Sequence, residues 1–465
     1  MSKRTSGDSK GFVVAVLFAC WLTFTVGAFG SSTEEFREIA AWGLLPIAVL
    51  TFFLLPSEFK RPLLPWWFLG ALAFLLFWGG FMTWNAHADH SRDTWSFTFY
   101  EDRPLSELPG SVVSSASWLF FLELSAIAIG LLAISRATQS KAWIRLLQIL
   151  ATSGFVVTLI ALLHKALKLE AVWGIATRHP ETYFAPFVYN ANAAAFLNLV
   201  LPISLALTLR AWRLSHGKSV VLGWLAVSII TFCGVITAAS KGGFLICLGV
   251  LFLFVVVEKS ALKSAFRAFR KSPKSIETKL GSAVLAAVLA AFLVTGTTQL
   301  IKRWETLANT LAASEQSGTV HSRLEMMKLL SKMASPEEGG WHGFGAGSFP
   351  HVFPWYNQAN PEALKGGWHR GHCDPLQTLV EWGWIGFAGW MVLGIGSVIC
   401  GISLLRRKPM SQANTHLVTG MTIGLVGVGF HSCFDFPLSI FSIHFTALLF
   451  CTLLCSLYTQ ARIRS

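Results

Sequence analysis

The sequence predicts an all-α polytopic membrane protein with about twelve transmembrane helices, because about twenty apolar residues in helical form cross a bilayer. Of the 465 residues, 53% are hydrophobic and 13% are charged, against about 25% charged in ordinary soluble domains. The apolar residues come in runs of the spanning length, and the alternating segments of a membrane β-barrel are absent. The composition therefore indicates a bundle of membrane-spanning helices.

The predicted spans follow the apolar runs along the chain. The first begins after a short basic tail, and we interpret it as an anchor because no small-residue cleavage site follows it. The seventh and eighth are joined by a tight turn at Ser240-Lys241-Gly242-Gly243. The spans cover about 11–30, 38–56, 62–83, 115–134, 143–164, 191–209, 219–238, 242–258, 280–300, 376–404, 415–433 and 436–458, with boundaries set to within a few residues.

Lys and Arg in the loops predict the orientation, because cytoplasmic loops carry an excess of positive charge. With the N-terminus inside, each short inner segment holds two or three of these residues, and 259–279 holds seven. We therefore predict a multi-pass protein with both termini in the cytoplasm. The net charge of +13 is then explained by topology signals and contacts with anionic membrane lipids, with no nucleic-acid partner.

The long hydrophilic loop 301–375, between predicted helices nine and ten, is placed on the outer, periplasmic face. Ser322-Arg323-Leu324-Glu325 fits a capping box, and the apolar residues that follow have the spacing of a helix lying on the membrane surface. The glycine-rich run 339–347 could bring backbone N–H groups close to phosphates or sugars. Apolar residues at helical spacing are Leu324, Met327, Leu330 and Met333; the loop histidines are His321, His342, His351, His369 and His372.

Other outer segments add polar residues to the same face. Asp374-Pro375 is a good helix start, with Asp374 as the N-cap, and its positive dipole end would favour an anion. Lys241 follows the seventh span, and His431 with Asp435 follows the eleventh; the loop before the sixth holds Arg178, His179, Tyr189, Asn190 and Asn192. Clustered cations, histidines and aromatics suit a phosphorylated, sugar-bearing, lipid-linked substrate, although the aromatics also fit an interfacial belt.

Metal and disulfide sites were weighed on the same residues. His369, His372, Cys373 and Asp374 include good metal ligands, but the second pair that closes a zinc site is missing. Seven of the eight cysteines lie in or at the ends of apolar spans, which leaves no disulfide framework. We therefore expect no metal and no cofactor.

Several of these segments resemble the O-antigen ligase and O-antigen polymerase family of bacterial glycan enzymes, over about 190–460. Ser240-Lys241-Gly242 is similar to that family's Ser-Arg-Gly turn, and Ser322-Arg323-Leu324 to its Ser-Arg-Leu start. Lys241 stands where the family usually has Arg, and Cys373 where it has Asn. Further similar segments are Asn190-Ala191-Asn192, 343–349, His372 to Leu376, Glu381 to Gly386, and His431-Ser432 with Asp435-Phe436.

The resemblance implies a metal-independent membrane glycosyltransferase that moves a glycan from undecaprenyl diphosphate to a sugar hydroxyl on the periplasmic face of the inner membrane. The acceptor is the lipid A core in ligases of lipopolysaccharide biosynthesis, and another lipid-linked repeat in polysaccharide polymerases. Residues 1–180 would then hold helices one to five and an outer loop. Residues 181–465 would form the O-antigen ligase-like region, with the catalytic loop at 301–375.

We predict His372 and Arg323 as catalytic residues. Lys241, Arg323 and Arg370 would bind the donor diphosphate, because fixed cations stabilise a leaving group on which negative charge develops. His372 would act as general base for the acceptor hydroxyl, or else orient the helix start or bind phosphate as a cation. Supporting roles fall to Asn192, Glu381, His431 and Asp435, with a purely structural role left open for the last three.

A transporter or flippase for lipid-linked glycans is the main alternative. Transporters place ionisable residues near the bilayer midplane and show repeated halves, whereas the predicted spans here are almost free of charge, Glu123 being the main exception. A haem-handling protein was a third option, but no pair of axial histidines in facing loops is evident.

Overall fold

The computed structural model describes residues 2–54, 63–91, 96–176, 184–271, 319–358 and 368–464, together with positions 290, 301, 305 and 364. Within these residues the chain is all-α, as predicted. The helices are α1 (Ser2–Gly27), α2 (Glu34–Leu54), α3 (Trp66–Trp84), α4 (Ser114–Ser135), α5 (Ala142–Ala166), α6 (Asn190–Arg213), α7 (Lys218–Ala238), α8 (Lys241–Lys271), α9 (Thr319–Met333), α10 (Phe349–Asn357), α11 (Asp374–Arg407), α12 (Gln412–Ser432) and α13 (Phe441–Arg464).

Two small antiparallel hairpins lie in the connections between helices. Strands β1 (Ala88–Ser91) and β2 (Ser96–Phe99) pair after α3, with Ala88 opposite Phe99. Strands β3 (Ala171–Val172) and β4 (Ile175–Ala176) pair after α5. Both hairpins are too small to change the fold class.

Ten helices in the described residues have the length and hydropathy of membrane spans, namely α1 to α8, α11 and α13. The predicted ninth span, 280–300, lies outside the described ranges apart from position 290. Helix α12 covers the predicted span 415–433 but is not among the ten. It packs against α6, where Gly420 and Gly424 approach the carbonyl oxygens of Pro202 and Leu199. A helix that faces protein rather than lipid needs a less apolar surface than one that faces lipid. The predicted count of about twelve spans is therefore not confirmed by the described residues.

Segments that were predicted on one face of the membrane contact one another. On the predicted outer side, Val112 N–H donates to the Phe344 carbonyl at 2.9 Å, and the rings of His90 and His351 lie 4.5 Å apart. On the predicted inner side, the Thr138 and Ser456 hydroxyls lie 2.6 Å apart. The contacts support the division of the loops into two groups, while the assignment of the cytoplasmic face stays a prediction.

The start of the outer loop differs from its prediction. Helix α9 begins at Thr319, so Ser322 lies inside the helix and the predicted capping box is wrong. Glu325 instead accepts a hydrogen bond from Lys328 at 2.7 Å. The buried stripe of α9 is Met326, Leu330 and Met333, whereas Leu324 is 54% exposed. This stripe packs in a small separate core with residues of α10 and α11, so the helix rests on protein.

Candidate active site

The glycine-rich loop 339–347 is docked onto a break in helix α11. Gly383 has a φ of 67° inside the helix, and the loop inserts its own backbone there. Phe344 and Gly345 N–H groups donate to the carbonyls of Val380 and Glu381, both at 2.9 Å. These two N–H groups are therefore not available to a ligand. The expectation that the glycine run presents its backbone to phosphates is wrong at these positions, since the loop shapes the helix start instead.

Glycine is required in this loop because the backbones approach closely. A Cβ on Gly343, whose φ is 75°, would lie 2.4 Å from the Gly383 nitrogen. No side chain tolerates such a contact with backbone atoms. Trp384 N–H completes the junction by donating to the Gly340 carbonyl at 2.9 Å. The junction thus fixes the first two turns of α11, which carry the end of the outer loop.

Four side chains from separate parts of the chain meet beside the start of α11. His372 Nδ1 lies 3.1 Å from Asp435 Oδ1. Arg323 Nη2 donates to the Tyr189 hydroxyl at 2.9 Å and lies 3.4 Å from Asp435 Oδ2. The Tyr189 hydroxyl lies 3.4 Å from the same Oδ2. We call Tyr189, Arg323, His372 and Asp435 the outer cluster. The structure therefore brings together both predicted catalytic residues and one predicted supporting residue.

Aromatic rings hold the outer cluster in place. Tyr189 stacks on Phe436 with centroids 5.4 Å apart and an interplanar angle of 7°. His372 meets Phe436 edge-on at 4.8 Å and Trp368 at 5.4 Å. His372 also has a φ of 51°, in the left-handed region that residues with a Cβ rarely adopt. Such backbone strain persists only where the surroundings impose it.

The polypeptide around Asp435 is tied to the start of α11. Asp374 accepts hydrogen bonds from Leu438 N–H at 2.7 Å and from the Ser439 hydroxyl at 2.8 Å. Its own N–H donates to the Asp435 carbonyl at 3.3 Å. Cys373, rather than Asp374, occupies the N-cap position, and it makes no side-chain capping bond. The predicted cap is therefore wrong, and the Asp374 carboxylate joins two outer segments instead.

Electrostatics keep the carboxylate of the outer cluster ionised. Burial raises the pKa of Asp435, but the hydrogen bond with His372 and the charge of Arg323 lower it more, so it lies below its usual value. Burial and the Asp435 carboxylate raise the pKa of the Tyr189 phenol. The Arg323 side chain is 37% exposed and that of Asp435 only 5%. The cluster therefore offers its cation to the solvent and keeps its anion inside.

Arg370 and Glu381 belong to a neighbouring buried network. Burial, and then the charge of Arg37, lower the pKa of Arg370 to about 10, and Glu381 is among the acids that oppose this effect. Gln377 donates to Glu381 at 2.9 Å and accepts from Gly371 N–H at 2.8 Å. Glu381 therefore supports the backbone next to His372. None of the hydrogen bonds of the outer cluster involves Arg370.

Helices α6, α8 and α12 carry the remaining predicted site residues, which are Asn192, Lys241 and His431 in that order. Lys241 is the first residue of α8, and the turn before it is held by α6, since Asn190 donates to the Ala238 carbonyl at 2.9 Å. Asn192 Oδ1 and His431 Nδ1 are buried without a hydrogen-bond partner among the described residues. His431 lies close enough to Asp435 to influence its charge. Arg178 and His179 lie outside the described residues.

Two features were missed at the sequence level. Tyr189 was placed in the outer loop before α6 but given no role. Arg37 precedes the predicted span 38–56, whereas in the structure it lies in the first turns of α2. Its guanidinium donates two hydrogen bonds to the buried Glu123 carboxylate, at 2.5 and 2.7 Å. The signal was available, because an acid inside a membrane span needs a partner.

The described part of the chain contains no assembled set of metal ligands. No group of three His, Cys, Asp or Glu side chains is suitably placed there. Asp374 faces Leu438 and Ser439, and Cys373 is buried with its pKa raised to about 11 by burial.

Comparison with known proteins finds a family match over part of the chain. No curated protein is a significant match to the chain. Residues 226–391 match the model of the O-antigen ligase family. The matched region contains Lys241, Arg323 and His372, whereas Tyr189 and Asp435 lie outside it. This match over 226–391 supports an assignment of the chain to the O-antigen ligase and polymerase family.

Proposed function

We propose that this protein transfers a glycan from undecaprenyl diphosphate to a sugar hydroxyl at the periplasmic face of the bacterial inner membrane. Its family and its apolar helices support an O-antigen ligase-like membrane enzyme in general. The observation that carries the finer proposal is the outer cluster, where a histidine oriented by a buried carboxylate lies beside an exposed guanidinium. The comparisons give no support to the transporter alternative.

His372 has the arrangement of a general base. With Nδ1–H donating to Asp435, the imidazole carries a free electron pair on Nε2, and the carboxylate stabilises the imidazolium that forms on protonation. The acceptor hydroxyl oxygen attacks the anomeric carbon of the donor glycan while Nε2 takes the hydroxyl proton. A new glycosidic C–O bond forms, and the bond between the anomeric carbon and the diphosphate oxygen breaks. General-base assistance of this kind contributes about 10²–10⁴-fold.

Arg323 and Lys241 would stabilise the departing diphosphate. Arg323 donates three hydrogen bonds, to the Phe434 carbonyl, the Tyr189 hydroxyl and the Asp435 carboxylate. A guanidinium has about five N–H donors in all. The others are free of acceptors among the described residues and can bind phosphate oxygens. Lys241 would add a point charge without a forked geometry. Fixed cations cost no reorganisation when the leaving group develops its charge, so no metal is needed.

The acceptor class divides ligase from polymerase. A lipid A core acceptor would make this protein a ligase of lipopolysaccharide biosynthesis, and a second lipid-linked repeat would make it a polysaccharide polymerase. A deletion strain separates the two, because loss of all lipid A-linked polymer indicates a ligase and single-repeat products indicate a polymerase.

Donor turnover by purified protein in nanodiscs tests the proposal directly. With an acceptor glycan present, we expect the wild type to release undecaprenyl diphosphate from a lipid-linked glycan, and Arg323→Ala and His372→Ala to lose this activity. The matched controls are Lys332→Ala, an exposed cation on the same helix, and His369→Ala, an exposed histidine three residues before the base. Normal turnover by both Arg323→Ala and His372→Ala would refute the assignment and favour the transporter alternative.

A further inference from the structure

The two oxygens of the Asp435 carboxylate contact different side chains. Oδ1 lies 3.1 Å from His372 Nδ1, and Oδ2 lies 3.4 Å from both Arg323 Nη2 and the Tyr189 hydroxyl. Charged N–H···O bonds are shortest at about 2.7–2.9 Å, so the direct Arg323–Asp435 contact is long. The guanidinium sits closer to the tyrosine hydroxyl, at 2.9 Å. The phenol oxygen therefore lies beside the ion pair and contacts both the cation and the carboxylate.

The hydroxyl of Tyr189 can satisfy both neighbours at once. A tyrosine hydroxyl has one proton to donate and lone pairs to accept with. The hydroxyl oxygen accepts a hydrogen bond from Arg323, and the hydroxyl proton is donated to Asp435. These directions are fixed because a guanidinium can only donate and an ionised carboxylate can only accept. A direct, short ion pair would turn the cation toward the buried acid and consume more of its N–H groups. With the phenol as a closer acceptor beside Asp435, the contact to the acid stays long and the guanidinium keeps its exposed edge.

Tyr189 itself is held rigidly. It is the N-cap residue of α6, and its carbonyl accepts from Asn192 N–H at 3.1 Å. Its ring stacks on Phe436, and the same Phe436 ring is met edge-on by His372. The hydroxyl is therefore placed by the start of the largely buried helix α6, while α9 supplies Arg323 from the outer loop.

We propose that Tyr189 is a positioning residue that couples the diphosphate-binding Arg323 to the His372–Asp435 pair. Its hydroxyl sets the direction of the guanidinium and holds Asp435 in the rotamer that orients His372. This proposal rests on the proposed transferase function. It predicts that one hydroxyl group affects both diphosphate binding and the proton-transfer step.

Tyr189→Phe tests the proposal because it removes the hydroxyl and keeps the stacked ring. We expect kcat for donor turnover to fall about ten- to hundredfold, as for loss of a hydrogen bond to charged groups. Inhibition by undecaprenyl diphosphate should weaken as well. The matched control is Tyr356→Phe, which removes a hydroxyl that donates to the Glu338 carboxylate at 2.8 Å in the loop 301–375. That variant should match the wild type in both measurements.

Double-variant cycles identify the route of the effect. Tyr189→Phe should cost much less in an Arg323→Lys background and in an Asp435→Asn background than in the wild type, because the groups that it positions are already altered. Equal costs in all three backgrounds would refute the coupling. So would Tyr189→Phe kinetics within twofold of Tyr356→Phe while the wild type is active. An inactive wild type would instead refute the transferase function, so the two failures are distinguishable.

Discussion

The imidazole of His372 and the carboxylate of Asp435 lie 3.1 Å apart across a separation of 63 residues in the chain. The two residues come from opposite ends of the α11–α12 hairpin, where the start of α11 is bonded to the turn that precedes α13. Because only Nδ1 is engaged by the carboxylate, the other ring nitrogen is left for chemistry. A histidine held in this way is oriented before the substrate arrives.

Asp435→Asn should lower kcat by roughly 10²–10⁴-fold, the range of general-base assistance. An amide can donate to Nδ1 and so stabilise the tautomer with its proton on Nε2, which cannot accept another. The depressed pKa of Asp435 also predicts that its stabilising contribution is present above about pH 4 and is lost as the pH falls through its folded value. Single-turnover rates and unfolding temperatures across pH measure the two effects. Unchanged kcat would show that His372 needs no carboxylate.

Lys241 and Arg323 should respond differently to exchange of their side chains. Arg323→Lys should remain impaired, because an ammonium cannot reproduce three directed N–H bonds together with a fork for phosphate. Lys241→Arg should be tolerated, and Lys241→Ala should be harmful but milder than Arg323→Ala. Inhibition by undecaprenyl diphosphate, measured for all four at matched protein levels, gives the ranking. A ranking in which Lys241→Ala is the most severe would reverse the two roles.

Transfer should continue in excess chelator. Under the proposed function, Arg323 and Lys241 supply the positive charge at the leaving group that a divalent ion would otherwise supply. Donor turnover is measured before and after prolonged incubation with chelator and removal of the bound metal. Activity that disappears and returns with one divalent ion would contradict the prediction.

Cysteine labelling should establish which face holds the outer cluster. The native Cys373 is a poor reporter, since it is 4% exposed and its pKa is raised to about 11 by burial. In a variant without native cysteines, Lys328→Cys should react from outside with a membrane-impermeant maleimide, because the Lys328 side chain is 73% exposed. Arg406→Cys, at the opposite end of α11, should react only in broken membranes. The reverse pattern would invert the orientation.

Arg37→Ala should destabilise the fold by about 3–5 kcal/mol, because it leaves the Glu123 carboxylate buried without its partner. The double variant Arg37→Ala/Glu123→Ala should recover part of this loss. Lys328→Ala, which breaks the exposed pair with Glu325, should cost about 0–1 kcal/mol. Denaturant unfolding in detergent measures all three. Equal losses for the buried and the exposed pair would show that Arg37 has no special role in the bundle.

Local sequence patterns were sufficient for the helical class and for bringing Arg323, His372 and Asp435 to one face. Hydropathy and loop charges are local signals, and because successive spans alternate in direction they also assign each loop to one face of the membrane. The same signals could not show that Asp435 contacts His372 or that Tyr189 contacts both Arg323 and the acid, since these pairings depend on helix packing. They also misplaced the start of α9, where the tertiary contacts of Met326 and Leu330 override a cap-like tetrapeptide.

The break at Gly383 divides α11 into parts that are held by different neighbours. The carbonyls of Val380 and Glu381 before the break accept from the glycine-rich loop, and the N–H groups of Trp384 and Ile385 after it donate to the loop. The rest of the helix runs on through the bundle. Cooperative opening follows such bonded neighbours rather than the bounds of a helix. The amide hydrogens that form these bonds, those of Phe344, Gly345, Trp384 and Ile385, should therefore exchange together with the opening of the loop. The backbone that carries His372 would then open together with the glycine-rich loop and not with the membrane-spanning helices.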